Sequence, residues 1–147
     1  MAERKTARCF PLRLEQEGGR RLCRYHSRII GYGVTKGDTL EEALHQAKDL
    51  LGEAILGMMA NDEDVPSPLP ARGRPAAGLP ALTAAKLEPY RAIRAAGLGK
   101  EEFATRLTWT RSQITRLFDG RHIVRLDQLE TALAALSRRL VVTSEAA

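Results

Sequence analysis

The chain has 147 residues, is 44% hydrophobic and 5% aromatic, and carries a net charge of +5. This composition excludes a disordered polymer and leaves room for one ordinary domain or two small ones, with cores of Leu, Ile, Val and Ala. No apolar run approaches a membrane span, and the opening MAERKTARCF lacks the apolar stretch of a signal peptide, so the expected setting is cytoplasmic, with no membrane partner.

Along the chain, Phe10, Leu12 and Leu14 alternate with Cys9, Pro11 and Arg13, which predicts a strand. Glu17-Gly18-Gly19 turns it, Leu22 to His26 returns, and Tyr32 to Thr35 forms a third short strand. After Lys36-Gly37-Asp38, Thr39 and Glu42 have capping-box spacing at the head of a long helix. Leu40, Ala43, Leu44, Ala47, Leu50, Leu51, Ala54, Ile55 and Met58 make its apolar face. Gly52 and Gly57 each cost about 1 kcal/mol relative to alanine, and close packing on the sheet is the expected reason for them. Residues 1–64 thus read as a βββα domain.

Five of the seven prolines fall between residues 61 and 80, which predicts an extended linker over 65–80. From residue 81 to 147 the pattern turns helical. The first helix runs from Thr83 to Ala96 and closes at Gly97, with Pro89 predicting a kink or a start near Glu88. The second covers Gly99 to Leu107, with Phe103, Ala104 and Leu107 inward. Thr110 caps the third, whose stripe is Ile114, Leu117 and Phe118. Asp127 and Glu130 have cap-box spacing for a fourth, with Leu126, Leu129, Leu133 and Leu136 facing inward. The closing RRLVVT reads as a strand with no local mate, so Leu140, Val141 and Val142 are candidates for dimerisation.

Charge divides the same way. Residues 1–64 hold 10 Lys/Arg against 11 Asp/Glu, whereas residues 65–147 hold 13 against 7. A basic C-terminal half beside a neutral one points to a polyanion as partner of the former. Two short helices joined by about three residues, with the small Ala104 where they cross, have the form of a helix-turn-helix. Its outer residues Arg111, Ser112, Gln113, Thr115 and Arg116 can bond base edges and phosphates. Lys100 and Thr110 at the helix starts, and Arg121 and His122 just beyond, complete the candidate DNA-binding set. Thr108 occupies the turn position where glycine is usual, which predicts local strain or a slightly different turn.

Other chemistry finds little support. Cys9 and Cys23 make no metal-ligand spacing, and the histidines at 26, 45 and 122 are scattered, so neither a metal nor a cofactor is implied. Asp38, Glu41 and Glu42 could be drawn as a nuclease's acids, but helix capping and the helix dipole account for them. The expectation is a protein that is not an enzyme.

The segments TKGDTLEEALHQAKDLL (35–51), LPALTAAK (79–86), EEFATRL (101–107), SQITRLFDGRH (112–122) and RLDQLETALAALSRRL (125–140) together resemble HicB antitoxins of the subtype with a C-terminal helix-turn-helix. The resemblance runs nearly the whole length, in the same order of parts. It implies an α+β protein whose N-terminal domain is a partial RNase H-like fold without that fold's catalytic carboxylates. That domain would cover the active site of a HicA-like toxin, an mRNA endoribonuclease. The C-terminal half would form a homodimer or higher even oligomer, bind operator DNA and repress its own operon. Residues 20–34, RRLCRYHSRIIGYGV, depart from the family pattern in being longer and more basic. A stand-alone regulator whose N-terminal domain binds another partner or ligand is the second reading.

Overall fold

Pro11 decides where the first described strand ends. Having no N–H to donate, proline suits the end of a strand rather than its middle. In the computed structural model, which describes residues 9–17, 20–27, 31–68, 70 and 72–144, the expected first strand is accordingly two. Strand β1 is Cys9–Pro11 and β2 is Arg13–Glu17, while Leu12 between them donates its N–H to Pro75 O at 2.8 Å. Strands β3 (Arg20–Ser27) and β4 (Gly31–Gly37) complete an antiparallel sheet of order β2-β3-β4. The Gly18-Gly19 turn and the Cys9 and Cys23 thiols lie outside what the structure describes.

β1 pairs instead with β5, Ala76–Gly78, in the register Cys9↔Gly78, Phe10↔Ala77, Pro11↔Ala76. This corrects the linker expected over 65–80. Its prolines stand at 66, 68, 70, 75 and 80, leaving Ala76-Ala77-Gly78 free to pair. The stretch is part connector and part sheet. The chain divides into two compact units, Met1–Thr83 and Ala84–Ala147.

Helix α1, Leu40–Ala60, lies against β3, β4 and β5. Thr39 caps it, its hydroxyl accepting the Glu42 N–H at 3.1 Å, while Glu42 Oε2 accepts the N–H of Asp38 at 2.9 Å. Its buried row is Ala43, Ala47, Leu51, Ile55 and Met59, one residue every four. Met59 and not Met58 closes that row, because each step of four turns slightly past a full circle and the stripe drifts around the helix. Phe10, Leu12 and Ala77 add to this core. Two glycines are fixed by space. A Cβ on Gly37 would stand 2.4 Å from the Ala43 N, so the first turn of α1 can settle only on a bare backbone. Gly52 faces Pro80, whose Cγ would be 3.0 Å from an added Cβ; the close approach is to that proline rather than to the sheet.

The second unit is helical. Helix α2 is Ala81–Ala95 and continues through Pro89; α3 is Lys100–Leu107, α4 is Arg111–Phe118 and α5 is Leu126–Ala134. Leu87, Tyr90, Ile93, Phe103, Ile114, Leu117, Phe118, Leu129 and Leu133 form its core, each large side chain worth about 1.5–3 kcal/mol when fully buried. Tyr90 meets Phe118 edge to face, with ring centroids 5.4 Å apart.

Helices α2, α3 and α5 end alike. A residue at positive φ (Gly97, Thr108 or Ser137) lets the next N–H reach back five residues, as Trp109 does to Ala104 O at 2.9 Å. The expected cap of α5 by Asp127 and Glu130 is corrected. Arg125 is the cap position and Gln128 Oε1 accepts its N–H at 3.2 Å, because the helix starts two residues earlier than the acid spacing suggested. Leu126, expected inward, is 58% exposed at that start. Residues 138–144 form no strand within the single chain.

Candidate nucleic-acid interface

α3 and α4 are joined by three residues, Thr108, Trp109 and Thr110. Phe103 and Ala104 of α3 are buried, as are Ile114, Leu117 and Phe118 of α4. With that stripe spent on the core, Arg111, Ser112, Gln113, Thr115 and Arg116 are all exposed on the other side of α4. The helical period therefore brings the five predicted outer residues together.

Their side chains differ in how free they are. Thr110 and Gln113 form a reciprocal cap: Thr110 Oγ1 accepts the Gln113 N–H at 3.2 Å, and Gln113 Oε1 accepts the Thr110 N–H at 2.8 Å. The carbonyl end of Gln113 is thus engaged. Thr115 Oγ1 donates to Arg111 O one turn back at 2.9 Å. Arg111 Nη1 lies 3.2 Å from Glu101 Oε1, a pair so exposed that it holds by no more than about 1 kcal/mol. A phosphate or a base could take that guanidinium from Glu101 at small cost. Lys100 opens α3 half-buried, its Nζ 5.8 Å from the Phe118 ring centre.

The turn after α4 is closely hydrogen-bonded. Asp119 Oδ1 accepts the Arg121 N–H at 2.9 Å, and Oδ2 lies 3.1 Å from His122 Nδ1. The first of these bonds, with His122 and Arg121 nearby, holds the Asp119 carboxyl below the usual aspartate range. His122 is accordingly tied to Asp119, whereas Arg121 presents an exposed side chain from a fixed backbone.

One residue of this region escaped the sequence reading. Lys86 is only 1% exposed, and its Nζ donates to Asp119 O at 2.5 Å and His122 O at 2.6 Å. A signal was available, since Thr83, Lys86, Leu87 and Tyr90 follow the i, i+3, i+4, i+7 spacing of an inward face. Elsewhere, Leu140 is half-buried, while Val141 and Val142 are 62% and 71% exposed. Among the described residues, no three His, Cys, Asp or Glu side chains gather as a metal site, and no helix is long and apolar enough to cross a membrane.

No family model matches the chain. Against known proteins, it is 38% identical over 115 residues to Antitoxin HicB of Pseudomonas fluorescens, spanning 76% of this chain and 77% of that protein. The chain belongs to the HicB antitoxin family. Two other HicB antitoxins agree. Antitoxin HicB 1 of Photorhabdus laumondii is 31% identical over 116 residues (79% of this chain, 74% of that one), and Antitoxin HicB of Escherichia coli is 30% identical over 112 (76% and 81%).

Proposed function

We propose that this HicB-family chain is an antitoxin and autorepressor, which neutralises a HicA-type mRNA endoribonuclease and binds its own operator through a helix-turn-helix made of α3 and α4. The observation that carries the DNA-binding half is the outer face of α4. Five residues able to contact DNA share it, on the more basic half of the chain. Arg111 and Thr115 approach base edges, with Gln113 joining them by its amide N–H₂; Ser112 shares the same face, and Arg116, Arg121 and Lys100 reach phosphates. His122 contributes by holding the turn with Asp119. Leu140, Val141 and Val142 pair with a second copy, which supplies the two-fold symmetry an operator of two half-sites requires. The role is one of binding, not catalysis.

The toxin half is carried by family membership and by the opposite charge balance of residues 1–64. In this reading those residues form the toxin-binding domain, with a partial RNase H-like sheet, and 81–147 the DNA-binding one. The test is co-expression of the full-length chain with a small basic protein encoded beside its gene. Relief of growth arrest is the expected outcome. Arrest that persists despite soluble full-length protein would favour the stand-alone regulator, a reading suggested by the basic, family-atypical segment 20–34.

A further inference from the structure

Among the residues whose side-chain burial is described, Lys86 is the only charged one that is buried. We propose that it is a positioning residue for DNA binding: it grips the Asp119–His122 turn from beneath and so holds Arg121 in place for a phosphate. The inference rests on the reading above that α4 and the turn after it meet DNA.

A lysine is a poor choice for filling space. Taking an ammonium group out of water costs several kcal/mol, and a methionine would occupy the same volume without that penalty. The cost registers in the group itself, since burial pulls the Lys86 pKa below the usual lysine value against the opposing pull of Asp119. What the ammonium does there is specific. Its two acceptors, Asp119 O and His122 O, are the first and last carbonyls of one four-residue turn. Asp119 O also accepts the His122 N–H at 3.2 Å, which closes that turn, and Asp119 Oδ1 takes the Arg121 N–H between them. The backbone under Arg121 is therefore held at both ends and in the middle, while its side chain stays exposed.

Two consequences bear on a phosphate. An arginine on a pre-ordered turn loses less conformational freedom on binding than one on a loose loop. The Asp119 carbonyl also lies at the C-terminal end of α4, the negative pole of the helix, where an approaching phosphate is repelled. A fixed ammonium on that carbonyl offsets the repulsion.

The test uses the full-length protein and a mixed-sequence DNA duplex, with binding followed by fluorescence anisotropy across a salt series. Wild type, Lys86→Met, Arg121→Ala and the double variant are compared at a temperature where thermal unfolding shows all to be folded. Lys86→Met should flatten the plot of log affinity against log salt by about one, as Arg121→Ala does. The double variant should bind no more weakly than either single one, to within about twofold. A slope left unchanged by Lys86→Met, or losses that multiply in the double variant, would make Lys86 merely structural and overturn the proposal. If Lys86→Met does not fold, Asp119→Ala, which removes the side-chain acceptor of the Arg121 N–H, loosens the same turn and is held to the same two criteria. Wild-type protein that binds no duplex is a different result: it removes the DNA-binding reading itself.

Discussion

Thr108 sits at φ 56° and ψ 33°, a left-handed conformation that crowds a β-branched side chain. It is held there because the position lets Thr108 N reach Thr105 O and Trp109 N reach Ala104 O, which closes α3 and aims the chain at α4. Its side chain is exposed, so little contact is lost by removing it. Thr108→Gly should therefore stabilise the protein by about 1 kcal/mol, the relieved strain outweighing glycine's greater freedom when unfolded. A higher urea midpoint is the expected reading, and a lower one would mean the threonine contributes more than it strains. Asp119 gives a second prediction at this scale. Its carboxyl is held below the ordinary aspartate value, so the folded state resists its protonation. The stability it lends is present above that ordinary value and drains away as the pH falls through it toward the lower folded value. Asp119→Asn should lose stability near neutral pH and show a shallower decline in acid. Denaturant titrations across that range would read this, and identical acid slopes for the two proteins would refute it.

At the scale of elements, what the sequence made legible is what periodicity controls. Ile114, Leu117 and Phe118 had to face one way, so Arg111, Ser112, Thr115 and Arg116 had to face the other. At Thr108 the sequence left two options, strain or a different turn; the structure takes the first, since a tight helix-to-helix turn demands positive φ whichever residue is there. The pairing of β1 with β5 was not legible, because Phe10 and Ala77 meet across a long stretch of sequence with no local signal. Caps proved ambiguous too: both Gln128 and Glu130 could take a backbone N–H, and spacing alone did not choose between them. Lys86 was passed over because lysine is ordinarily an outward residue, although its spacing with Leu87 and Tyr90 placed it inside. The terminal segment, residues 138–144, forms no strand. Its valines are exposed and it has no ladder within the chain, so removing the residues after Ser137 should weaken self-association and, with it, operator binding. Sedimentation equilibrium would report this as a larger dissociation constant. A truncated chain that dimerises unchanged would place the interface elsewhere.

For the whole molecule, charge is divided unevenly along the chain. The first 64 residues are close to neutral and their helix has an acidic first turn, whereas the remainder carries the excess of Lys and Arg. That division matters most if the outer face of α4 reads DNA, as proposed. The measurement that tests it most directly is the affinity of wild-type and Arg111→Ala protein for the DNA upstream of its own gene and for a scrambled duplex of equal composition. Both are titrated over the same salt series. Wild type should prefer the upstream duplex. Arg111→Ala should lose about 1–3 kcal/mol on it and far less on the scrambled one. Equal affinity of wild type for the two duplexes, or small and equal losses on both, would contradict it and leave the polar face of α4 merely solvated.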